Sequence, residues 1–412
     1  MALKRTATLI LAALMVLSPA AAQSQTAARL DTTTFITVGE SLAAGVGDFS
    51  LHQASQHNSF PALLARQMGA IFPQPLIQAP GLGGVPGFPE QPVMVPAPGQ
   101  TTVRAQFPPT LFIFNLAVPG HRLVDALRLQ PRPPLVQSSD ARQTATNVIL
   151  GYPSMILGSQ IPLWSQVQYA EAMNPTLVLV ELGYAEALAA AAQGDANLIP
   201  APADFAAGYR ELLGRLRANY STVIATTIPD PTNTAYCSTL ADAAQLAGVP
   251  AATLAARYAL EPGDLLLPAA LTALGAGAET LPARSVLRAD TAAAIRRGVQ
   301  ALNAVVAAEA GRGEAILYDL HGLLTRLRSA PLPVGSLRLS ASYLGGIYTL
   351  SGAFTGATTN ALIANEIIAL LNQKFQAAIP AIDLADIART DPAVRFRPTE
   401  LSGASTAIVE GE

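Results

Sequence analysis

Residues Thr34 to Phe49 read TFITVGESLAAGVGDF, and the fold turns on that stretch. Phe35 to Val38 is a β-branched and aromatic run, the composition of a strand. Gly39 ends it, and Leu42 to Ala44 can open a helix. Ser41 stands on the corner between them. Such a corner presents a side chain as a nucleophile needs, but a serine there equally suits a helix cap. Both readings of Ser41 stay open from this stretch alone.

Working outward, the same punctuation recurs. TLFIFNLAVPG (Thr110 to Gly120) reads as a strand running into a turn, and a helical stretch then extends to Met173, where Asn174-Pro175 stops it. TLVLVELG (Thr176 to Gly183) is a continuous apolar run ended by glycine, as in a strand buried on both faces. Phe205, Tyr209, Leu212, Leu213 and Leu216 recur at helical spacing. STVIATTIPD (Ser221 to Asp230) reads as another buried strand, and 238–310 as a long helical region broken at Glu261-Pro262-Gly263. AILYDL (Ala315 to Leu320) is the next strand, and Thr359 to Phe375 a closing helix. Strands alternating with helices predict a parallel sheet covered on both sides, with any site outside the carboxyl ends of its strands. Residues 73–109, dense in glycine and proline, form a loop inserted within this domain, and the tail 376–412 has weak periodicity.

The chain has 412 residues, half of them apolar, so it can bury a large core. Lys4 and Arg5, an apolar run from Thr8 to Ser18, and Ala20-Ala21-Ala22 compose a signal peptide over residues 1–22. The expectation is an exported protein, periplasmic or secreted. No later segment offers the uninterrupted apolar length of a transmembrane helix. A net charge of −3 without a basic cluster argues against nucleic acid and anionic membrane surfaces as partners. The single cysteine, Cys237, and four scattered histidines (His52, His57, His121, His321) give no metal-ligand spacing. GLGG at 81–84 lies in the proline-rich loop rather than between a strand and a helix, so no phosphate-binding cofactor is implied.

The motifs along this frame resemble those of the SGNH (GDSL-type) hydrolases, an esterase and lipase superfamily. GESL at 39–42 resembles their Gly-Asp-Ser-Leu block, and NLAVPGHRLVDAL (Asn115 to Leu127) is similar to their second block, with Gly120 at the oxyanion-hole glycine. LGYAEAL (Leu182 to Leu188) falls at their Gly-x-Asn-Asp block; TIPDPTN and GGIYTLSGAFTGATTNALIANEIIALLNQKF follow in order. The resemblance spans residues 30–375. It implies one α/β domain of three-layer α/β/α, flavodoxin-like fold, with Ser41 as nucleophile and Gly120 as oxyanion donor.

The departures fall on the chemistry. Glu40 replaces the aspartate before the nucleophile, Ala185 stands at the oxyanion-hole asparagine, and Ser351 and Phe354 stand at the aspartate and histidine of the last block. A serine hydroxyl needs a base to take its proton. Removing the histidine of a serine hydrolase costs about 10⁶ in turnover, and one lost oxyanion donor costs on the order of 10²–10³. Two histidines are candidate replacements: His321, with Asp319 two residues before it as orienter, and His121, adjacent to Gly120. Glu181 must be solvated, paired or protonated near the end of an apolar strand, and Glu186 suits the start of a helix. The sequence thus points to a catalytically degenerate esterase-like protein binding a small acyl or glycan-type ligand. The alternatives are a carboxylic-ester hydrolase using Ser41 with His321 or His121, and an assembly protein of the envelope.

Overall fold

The computed structural model describes residues 29–83, 104–106, 110–158, 161–218 and 221–395. The signal-peptide stretch, most of the 73–109 insertion and the last part of the tail lie outside the described residues. Four strands, β1 (Phe35–Gly39), β2 (Leu177–Glu181), β3 (Thr222–Thr226) and β4 (Ile316–Tyr318), pair in parallel in that order. Every residue of β1 and β2 is buried, which is why both read as unbroken apolar runs.

Residues 114–118 run alongside the free edge of β1. Thr37 N–H donates to Phe114 O (2.9 Å), Leu116 N–H to Thr37 O (2.9 Å) and Val118 N–H to Gly39 O (3.1 Å). The strand expected over Thr110 to Gly120 is therefore shorter: a parallel bridge at Asn115 joins it to β1, while Leu111 and Phe112 are exposed. β1 lies between this segment and β2, so the chain passes to one side of β1 and then to the other. Such a reversal leaves a crevice at the strand ends.

The covering helices are α1 (Ser41–Ala44), α2 (Phe60–Met68), α3 (Leu123–Arg128), α4 (Ala141–Thr146), α5 (Gln166–Ala172), α6 (Tyr184–Gln193), α7 (Pro202–Leu216), α8 (Ala289–Arg312), α9 (Leu320–Ser329) and α10 (Ala357–Phe375). Helices α3, α5, α7 and α8 pack on one another, and α2 pairs with α10, giving an α/β/α arrangement. α7 buries the apolar stripe that its sequence predicts.

Three expectations need correction. The helical stretch to Met173 is broken into α3, α4 with its π-helical continuation Asn147–Gly151, helix Tyr152–Leu157, and α5. Pro131, Pro133, Pro134 and Pro162 stand in the gaps, where they cannot donate to a helix. The region 238–287 is not simply helical. It adds a small antiparallel sheet of Ser238–Thr239, Leu265–Leu266 and Val286–Leu287, with its own apolar cluster around Leu254, Leu266 and Ala270. The start of the tail is also docked: helices Leu384–Ala388 and Pro392–Arg395 lie against α10, and Asp391 accepts the Thr358 N–H at 2.7 Å. Among the described residues no helix is long and apolar enough to cross a membrane.

Candidate functional site

β1 turns at Gly39, where a Cβ would stand 2.9 Å from both Ala43 Cβ and Glu181 O. Only glycine fits. Ser41 follows as the first residue of α1 and is not its cap; Glu40 is, its Oε2 accepting the Ser41 N–H at 2.7 Å. On the neighbouring segment the backbone turns at Gly120, which adopts φ +73°, a left-handed conformation that favours glycine. There its N–H donates to Ser41 Oγ at 3.0 Å. The residues expected as nucleophile and oxyanion donor thus meet.

A cavity of about 350 Å³ opens beside them, and its wall includes Ser41, Gly120, Ala185 and Phe354. Four of the positions singled out by the ordered motifs therefore face one space, while Glu40 and Ser351 do not line it. The rest of the wall is part apolar, with Pro119, Ala145 and Leu188, and part charged, with Arg122, Asp140 and Arg142.

Neither candidate base lines that wall. His121 is fully buried, with Nδ1 2.8 Å from Gln166 Nε2 and Nε2 2.7 Å from Thr146 Oγ1. Because Thr146 Oγ1 donates to the Arg142 carbonyl, the ring is the neutral tautomer, donating from Nε2 and accepting at Nδ1. Burial, with Arg142 nearby, holds its pKa down to about 3. Gln166 also bonds both backbone groups of Gly39, so His121 is part of the brace behind β1. His321 lies in the first turn of α9, where its N–H donates to Thr227 Oγ1 at 2.9 Å in the segment that follows β3. Its Nδ1 meets the Ile228 carbonyl at 3.2 Å, near Asp230, whose carboxyl burial raises above its ordinary range. Asp319 does not orient that ring. It caps α9, accepting from Gly322 N–H and from Thr227 Oγ1, both at 2.9 Å. His52 lies in a separate, smaller cavity with Asp48 and Asn360.

The substituted positions are integrated into the packing. Phe354 is 2 % exposed and meets the Tyr184 ring edge-on at 6.2 Å, while the Tyr184 hydroxyl donates to the Ala353 carbonyl at 2.8 Å. The Ser351 hydroxyl is used within its own turn, 3.0 Å from Thr349 Oγ1. Ala185, in the first turn of α6, leaves only a methyl group at the wall.

Three buried carboxyls lie beneath the corner, more than the sequence discloses. Glu181 Oε2 accepts the N–H groups of Ala43 (3.1 Å) and Glu40 (3.4 Å). Glu186 Oε1 accepts the Leu123 N–H at 3.0 Å. Glu40 Oε1 and Glu186 Oε2 have no hydrogen-bond partner among the described residues. Burial pushes Glu40 up to about 8 and lifts Glu181 well above the ordinary carboxylate range, with the charge of Glu40 adding to the latter. Glu186 is raised by burial as well. Glu40 and Glu181 are thus held toward the protonated form.

Among the described residues no three His, Cys, Asp or Glu side chains gather in a way that could hold a metal ion. Cys237 is a buried free thiol, pushed far up by its surroundings. A scan of protein-family models and a search of curated proteins each return no match to this chain.

Proposed function

We propose that this chain is an exported, esterase-like protein that binds a small acyl or glycan-type ligand in the Ser41 cavity without hydrolysing it. One observation carries the reading: Ser41, Gly120, Ala185 and Phe354 line the same cavity, while no imidazole lines it. A pocket with a serine and a backbone donor can orient a polar group. Without a base the serine is left as a weak nucleophile.

The hydrolase alternative needs a base at Ser41 Oγ. His121 has both ring nitrogens engaged in the brace behind β1, and His321 holds its Nδ1 against the Ile228 carbonyl and does not line the cavity. The resemblance to the SGNH hydrolases supports the ligand class, because Ser41 and Gly120 meet beside the cavity while phenylalanine stands at the position of the base.

Calorimetric titration of the purified protein with short acyl compounds, beside Ala189→Trp, tests the reading. Ala189 lines the cavity, and a tryptophan there would fill it. Binding that this variant abolishes supports the cavity as the site. Binding that it leaves intact places the ligand elsewhere and refutes the reading.

A further inference from the structure

We infer that the ligand is an amphiphilic carboxylate, an acyl acid of medium chain length, with its head group on the Arg122 guanidinium and its chain along the apolar wall. This deepens the ligand-binding reading above and rests on it.

The charges at the wall are not all compensated from within. Arg142 pairs with Asp125 at 3.2 Å. Asp140 lies 3.8 Å from Arg132 and accepts the Gln143 N–H at 2.9 Å. Arg122 is different: among the described residues its guanidinium makes no hydrogen bond or ion pair, although it is half-buried at the cavity wall. Arg122 also borders a neighbouring cavity with Glu186, whose carboxyl its charge lowers while burial, the larger influence, raises it. A partly desolvated cation without a partner is costly, and an incoming anion relieves that cost. The guanidinium fork matches a carboxylate in shape and charge.

The remaining wall specifies what is attached to that head group. Pro119, Ala145, Leu188, Ala189 and Phe354 make it largely aliphatic and aromatic. Phenylalanine at 354 and alanine at 185 supply apolar surface where a hydrolase would place an imidazole and an amide. A cavity of about 350 Å³ lies at the small end of ligand pockets, which suits one short chain. An uncharged ester gains nothing from Arg122. A free acid does.

The test is isothermal titration of the purified protein with octanoate and with octanol, which differ in the charged head. Octanoate should bind at least about tenfold more tightly, as a charge-assisted pair implies. Arg122→Gln should remove that advantage and leave octanol unchanged, while Ala189→Trp should weaken both. Arg122→Lys, which keeps a point charge, should retain part of the preference if Arg122→Gln fails to fold. Added salt should weaken octanoate and not octanol. Equal affinities for octanoate and octanol, both lost in Ala189→Trp, would overturn the carboxylate while leaving the cavity reading standing. Octanoate binding indifferent to Ala189→Trp, or no binding of either compound, would overturn both.

Discussion

The Gly120 N–H and Ser41 Oγ meet at 3.0 Å between β1 and the extended segment beside it. A serine and an amide donor are thus pre-positioned by backbone geometry alone, from Gly39 on one side and the turn at Gly120 on the other. Among the described residues no imidazole lines the cavity beside them.

Supplying that group should create activity. The triple variant Ala185→Asn, Ser351→Asp, Phe354→His places an amide and an imidazole on the wall that Ser41 shares. We predict Ser41-dependent hydrolysis of p-nitrophenyl butyrate on the order of a hundredfold above the wild-type protein, the usual scale of general-base assistance. Loss of the Phe354 contact with Tyr184 should lower stability by about 1–3 kcal/mol. A folded triple variant with no gain would mean that these positions do not form a working site.

The buried carboxyls predict an unusual pH dependence. In the folded protein Glu40 holds its proton to about pH 8 against an ordinary 4.5, and Glu181 and Glu186 are raised too. Between those values the native state binds more protons than the unfolded chain, so stability falls as pH rises. His121, held down to about 3, acts oppositely below its ordinary 6.5, so the carboxyl signature is cleanest between about 6.5 and 8. Urea midpoints should drop across that interval, and Glu181→Gln, which cannot ionise, should flatten the drop. A midpoint that rises through the same interval would contradict the assignment.

Gln166 is predicted to be a structural keystone. Its amide bonds Gly39 N–H (2.9 Å), Gly39 O (3.0 Å) and His121 Nδ1 (2.8 Å) in a fully buried setting. Gln166→Ala leaves all three groups without that partner, which should cost about 2–4 kcal/mol in a urea titration. A loss below about 0.5 kcal/mol would show that the brace is dispensable.

The strands β1, β2 and β3 are legible because strands buried on both faces are apolar runs, ended by glycine after β1 and β2 and by Pro229-Asp230 after β3. The stretch 110–120 was only partly legible, since its apolar residues at 111 and 112 are exposed and only the later ones pair with β1. Tail helices were missed because each is a turn or so long, and what fixes them is Asp391 capping α10 across the fold. Ser41 and Gly120 came from ordered motifs. Glu181 drew notice as a charge in an apolar strand, but its proximity to Glu40 depends on the β1–β2 register of Gly39 with Glu181. Arg122, adjacent to His121, is not legible as a site residue, because a lone arginine before a helix carries no periodic signal.

The most direct test compares p-nitrophenyl butyrate hydrolysis by the wild-type protein and Ser41→Ala from about pH 6 to about pH 9. The upper end matters because Glu40, in hydrogen-bond contact with the Ser41 amide, ionises only near 8. We predict identical rates in both proteins at every pH, with Ser41 serving to line a binding site. A Ser41-dependent rate that climbs through pH 8 would contradict this and would make Glu40 the base of a hydrolase.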